Sequence, residues 1–157
     1  MTTEYLELMK ADLLAEYKDE LCEESVESIK NANTIEDFIG LLSKFSVYLS
    51  FKFIPEVWWV RKWFNNPERK SLAEKHGVYF NGHSMVVNPQ SPIVVMGDAH
   101  ITLTCTKPSL YRVLLQDECN CDVSTFYNCR VMIRQKDNSQ CNIIHKNNLS
   151  SIKIRKI

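Results

Sequence analysis

Four of the six cysteines fall in one stretch, Glu118 to Ile144, which reads ECNCDVSTFYNCRVMIRQKDNSQCNII. Cys119-x-Cys121, Cys129, Cys141 and the nearby His145 offer enough soft donors for a four-coordinate zinc ion, and neighbouring thiols can also form disulfides. The spacings fit no common zinc ribbon or finger, and no Cys-x-x-Cys knuckle occurs. Asp98-Ala99-His100 sets a carboxylate and an imidazole two residues apart, and His83-Ser84 sets a base beside a hydroxyl. Either pair needs a third, orienting group before it resembles a catalytic triad. His76 precedes Gly77 and suits a helix C-terminus, where its charge opposes the dipole. Asp117, Glu118 and Asp122 form the one acidic cluster of this half, too few for a glycosidase assignment. With only four glycines, the chain holds no phosphate loop and no dinucleotide fingerprint. These residues lead us to expect no enzyme, no catalytic residue, no cofactor and no metal.

The elements that position the cysteines repeat every ten residues. One column reads Ser91, Ile101, Tyr111, Cys121, Val131, Cys141, Ser151, and two positions later stand Ile93, Leu103, Val113, Val123, Ile133, Ile143. Two positions earlier are Ala99, Ser109, Cys119, Cys129, Ser139, while Thr102, Arg112, Asp122, Met132 and Asn142 make a mostly polar column. Strand alternation places the first three columns inside and the last outside. Turn formers such as Gly97-Asp98, Asp117-Glu118 and Asp137-Asn138 recur on the same period. The thiols are thereby expected to be small core residues in place of Ala, Ser, Ile or Val. Two folds satisfy the period. In a β-solenoid of twenty-residue coils, Ile101, Cys121 and Cys141 stack in one ladder and Tyr111, Val131 and Ser151 in the opposite one. In an antiparallel β-meander the same residues line one face of a sheet covered by helices. The small inward residues favour the solenoid.

The first half reads as helical. Leu6, Met9, Leu13, Tyr17 and Leu21 predict one amphipathic helix near 3–22, with a short one over 25–30. Thr34 is expected to cap a helix whose apolar face is Phe38, Leu41, Leu42, Phe45, Tyr48 and Leu49. Pro55 and Pro67 are expected to open two more, with Trp59 and Trp63 on one packing face, and Gly77 ends the last. The fold class is therefore α+β: a helical cap, residues 1–77, packed on a β-solenoid, residues 78–157.

Net charge is zero, yet residues 1–37 carry −8 and the remainder +8. No apolar run of membrane-spanning length occurs, and Glu4, Glu7, Asp12 and Glu16 occupy the place of a secretory signal. A cytoplasmic protein with reduced thiols, not associated with a membrane, is expected. The candidate interaction surfaces are an acidic one, Glu16, Asp19, Glu20, Glu23, Glu24 and Glu27, and a basic one centred on Arg130, Arg134 and Lys136, to which Arg112, Lys146, Lys153, Arg155 and Lys156, mostly outside the buried columns, add their charge.

A helical segment carrying Trp58-Trp59-Val60-Arg61-Lys62, followed by a short-period β-solenoid with Asn/Asp corners, resembles a loose group of small proteins from gut bacteria, their phages and other mobile elements. The resemblance implies an accessory factor that binds and inhibits a host protein, in the host cytosol when phage-encoded. The alternatives from the residues are a nucleic-acid-binding module using the basic β surface and a self-assembling virion or scaffold component, a homo-oligomer.

Overall fold

The computed structural model describes residues 3–48, 55–90 and 92–157, with the backbone alone for 44–48. The chain divides into two compact units, Met1–His76 and Gly77–Ile157. Among the described residues the first unit holds α1 (Thr3–Tyr17), a 3-10 turn (Lys18–Glu20), α2 (Glu23–Asn31), α3 (Ile35–Tyr48), α4 (Val57–Phe64) and α5 (Pro67–Lys75). The stripe Leu6, Met9, Leu13 and Tyr17 is buried as the periodicity requires. The expected 3–22 helix nevertheless stops at Tyr17, and Leu21 is extended (φ −93°, ψ 141°). Charge explains the break. Glu16, Asp19 and Glu20 gather where a helix C-terminus repels them, whereas Glu23 and Glu24 stabilise the first turn of a new helix.

Thr34 caps α3 reciprocally with Asp37: Asp37 N donates to Thr34 Oγ1 (3.1 Å) and Thr34 N to Asp37 Oδ2 (3.2 Å). Phe38, Ile39 and Leu42 are buried, Leu41 is half-buried, and the expected contributions of Phe45, Tyr48 and Leu49 lie outside the described residues. Pro55 does not open α4, because Glu56 is still extended (ψ 153°) and Val57 is the first helical residue. Pro67 does open α5, with Asn66 Oδ1 accepting from Glu68 N and Arg69 N. Trp59 is buried with its ring 6.3 Å from Phe38 and 6.3 Å from Trp63. Asp12 ties α1 to α4 by accepting from Lys62 Nζ (2.8 Å) and Trp63 Nε1 (2.6 Å).

The second unit is a parallel β-solenoid of about four turns. Its strands are β1 (Val78–Tyr79), β2 (His83–Val87), β3 (Ile93–Val95), β4 (His100–Cys105), β5 (Leu110–Leu115), β6 (Asn120–Thr125), β7 (Arg130–Gln135), β8 (Gln140–Lys146) and β9 (Ser151–Lys156). Odd strands form one sheet, β1-β3-β5-β7-β9, and even strands another, β2-β4-β6-β8. Every pairing is parallel and joins residues about one coil apart, so consecutive strands never pair and the meander is excluded. Ile101, Cys121 and Cys141 stack in one ladder, as do Ile93, Val113 and Ile133 in the other sheet. A third inward column, Val95, Leu115 and Gln135 facing Cys105 and Thr125, completes the core. Each fully buried aliphatic side chain contributes roughly 1.5–3 kcal/mol.

One expected ladder is corrected. Val131 pairs with Ile152, not Ser151. Val123 pairs with Ile143 but Ser124 with His145, leaving Ile144 as a bulge that advances the rest of the chain by one residue. The corner column shifts likewise, so that Ser150 is buried beneath Cys129 and accepts from its backbone N (3.3 Å). At the opposite corner Gly97, Asp117 and Asp137 adopt positive φ of 64°, 61° and 58°. Gly97 N donates to Asp117 Oδ2 (2.9 Å) and Asp117 N to Asp137 Oδ2 (3.2 Å), so each corner aspartate fastens the coil before it.

Candidate functional site

The solenoid disperses the cysteine cluster. Cys121 and Cys141 lie on adjacent rungs of the even sheet, while Cys119 and Cys129 occupy corners where their thiols donate to Val95 O (3.3 Å) and Phe126 O (2.8 Å). Cys119 and Cys105 are pushed up to about 12 by burial, which keeps them protonated and inert. Among the described residues no group of three His, Cys, Asp or Glu side chains is arranged to hold a metal ion, and the six cysteines are free.

The imidazoles take partners from neighbouring coils. Ser84 pairs with the buried Ile101, so it sits on the opposite side of β2 from His83. His100 bonds not the neighbouring Asp98 but Asp122, at 2.8 Å from Nε2 to Oδ2. A carboxylate only accepts, so His100 Nε2 carries the proton. Asp122 Oδ1 also accepts from Asn142 Nδ2 (2.9 Å), and these bonds from Asn142 and His100 hold its carboxyl below the usual range. His83 stacks on His100 with centroids 4.7 Å apart and shares a 3.0 Å bond with Thr102 Oγ1. Asn142, Asp122, His100, His83 and Thr102 thus form one polar network over the four strands of the even sheet. It does not make a triad. The carboxylate orients His100, whereas the hydroxyl meets His83, so no single imidazole joins an acid to a nucleophile.

The charged candidates separate by unit. Glu16, Asp19, Glu20, Glu23, Glu24 and Glu27 are all exposed, running from the end of α1 into α2. Glu23 and Glu27 line a groove of about 580 Å³ together with Lys18, Leu21, Val26, Lys30 and Asn31. Arg130 and Arg134 lie on the outer face of β7, alternating with buried Val131 and Ile133. Lys136 is exposed in the corner that follows β7. Three more basic residues share the face: Arg112 and Lys153 flank Met132 on one rung, and Arg155 pairs with Arg134 on the next. Partial burial, then the guanidinium groups of Arg155 and Arg112, hold Arg134 below its ordinary value. All three are among the basic residues that the sequence sets outside the buried columns, but the rungs that Lys153 and Arg155 occupy depend on the bulge. Among the described residues no helix is long and apolar enough to cross a membrane. No protein-family model, no curated protein and no solved structure matches this chain.

Proposed function

We propose that this chain is a non-enzymatic interaction protein that engages an acidic surface of another protein through the basic outer face of its five-stranded sheet. The observation that carries this reading is the gathering of Arg112, Arg130, Arg134, Lys153 and Arg155 on one side of three neighbouring strands. Rungs of a parallel sheet stand about 4.8 Å apart on a rigid frame, so the charges are held in place before the partner arrives. Like charges this close raise each other's energy, and an anionic partner relieves that cost while steering association. In the mobile-element setting that the resemblance suggests, the partner is a host protein inhibited by occupancy, and the host cytosol is the site of action.

A second reading has its own observation. The six exposed acids, of which Glu23 and Glu27 line a groove with Lys18 and Lys30, offer a phosphate-like array to a nucleic-acid-binding protein. Affinity capture from gut-bacterial lysate, with and without nuclease, separates the possibilities. The wild-type chain should retain a protein whatever the nuclease treatment, and R130E/K153E/R155E should lose it. Loss with nuclease alone would make nucleic acid the partner. Loss only in E20K/E23K/E27K would move the site to the helical unit.

A further inference from the structure

We propose that Cys141 is a site of oxidation by hydroperoxides, with Cys121 as the thiol that resolves it into an intrachain disulfide. The two residues are paired in register on β6 and β8. Neighbouring strands lie about 4.8 Å apart, inside the roughly 4.4–6.8 Å between α-carbons that a disulfide spans. Their environments differ in the way the two roles require. Cys121 is fully buried between Ile101 and Cys141, whereas Cys141 is half-buried on the last rung of its sheet, within reach of a small oxidant.

The thiols also polarise one another. The neighbouring Cys121 thiol favours the thiolate on Cys141 against burial and the field of Asp122, while Cys121 itself is raised by Cys141 and by burial. Cys105 and Cys129 also neighbour one another, with Cys129 Sγ on Cys105 O at 3.3 Å, but both are fully buried. Cys105, Cys119 and Cys129 are buried, the last two with their sulfurs on backbone carbonyls. Cys22 is exposed, but its sulfur meets Ser25 Oγ at 3.0 Å, not a second thiol. The bulge at Ile144 and the absence of a further described strand beyond β8 leave that strand room for the small approach a disulfide needs.

The chemistry balances with the peroxide as the sole oxidant. The Cys141 thiolate attacks one peroxide oxygen; the O–O bond breaks, an S–O bond forms, and hydroxide leaves. Sulfur has then lost two electrons and peroxide has gained them. The Cys121 sulfur next attacks the Cys141 sulfur, the S–O bond breaks, and the departing hydroxide takes the Cys121 proton as water. Two thiols and one hydrogen peroxide give one disulfide and two waters.

The test is a cysteine-resolved mass map of the reduced, full-length protein after brief treatment with hydrogen peroxide and dimedone. Cys141 should be modified at least about tenfold faster than Cys105, Cys119 and Cys129, and the untrapped product should be a peptide cross-link joining Cys121 to Cys141. Cys121→Ala, which keeps a small apolar residue in the core, should accumulate dimedone on Cys141, and Cys141→Ser should abolish the cross-link. Equal labelling of all buried cysteines, labelling of Cys22 alone, or a cross-link from Cys141 to Cys119 would overturn the proposal. The wild-type map decides the matter even where a variant does not fold.

Discussion

His100 Nε2 donates to Asp122 Oδ2 at 2.8 Å across a diagonal of the even sheet, two residues beyond the rung that His100 itself occupies. Bonds from Asn142 and His100 lower the Asp122 carboxyl from its ordinary 3.8 in the folded protein. The carboxylate therefore contributes stability above that value, and the contribution fades as pH falls through the lower folded-state value. Urea unfolding between pH 6 and pH 2 should show wild-type losing more stability than Asp122→Asn below about pH 4. The pair is partly exposed to solvent, so the difference should be about 0.5 kcal/mol or less. Parallel curves would mean that the network does not favour the ionised form.

Inside the coil the scale is larger. Leu103 is fully buried and stacked between Val86 and Val123, whereas Ile144 is 66% exposed. Leu103→Ala should cost about 2–5 kcal/mol in chemical denaturation, since the stacked rungs cannot collapse into the vacancy. Ile144→Ala should change stability by about 0.5 kcal/mol or less. Comparable losses at both positions would contradict the inward and outward assignment of β4 and β8.

The ten-residue rhythm made the solenoid legible because every coil solves the same problem: two short strands and two tight corners with small residues beneath them. Tyr111 over Val131 and Cys121 over Cys141 follow from that rhythm alone. The missed features depend on what rhythm does not carry. Leu21 continues the apolar spacing of α1, and only the charges around it disclose the break. Ile143 and Ile144 are both apolar, so alternation cannot tell which is the extra residue until the strands are paired. Asp98 is the acid nearest His100 in sequence, but Asp122 is brought beside it by a twenty-residue coil. The basic residues of the outer face were legible, but not which of them share a rung, because Lys153 and Arg155 follow the slip at Ile144.

Asp117 stands at a corner with φ 61°, where an L side chain is strained. Both Asp117→Ala and Asp117→Gly remove the carboxylate that accepts from Gly97 N, so any difference between them reports the backbone. Glycine adopts positive φ freely. Asp117→Gly should therefore be the more stable variant by about 1 kcal/mol. Equal thermal midpoints would imply that the corner relaxes out of the left-handed region when the aspartate is lost.

The bulge offers the sharpest test of register. Ile144 pairs with nothing on β6, and the residues after it already face Ser124 and Thr125 in sequence. Deleting Ile144 should leave a continuous ladder, with His145 following Ile143 directly, Ile152 still paired with Val131, and stability no lower than that of wild-type. Deleting Thr102 has the same length effect and the opposite physical one. It forces a one-residue slip within β4 that turns either Leu103 and Cys105 outward and Thr104 inward, or Ile101 outward and His100 inward. Several apolar side chains then lose their burial together, and the cost should exceed about 4 kcal/mol. Circular dichroism and urea titration of the two deletions should give one folded and one unfolded protein. If both unfold, Ile144 fills a place in the coil that its exposure does not reveal.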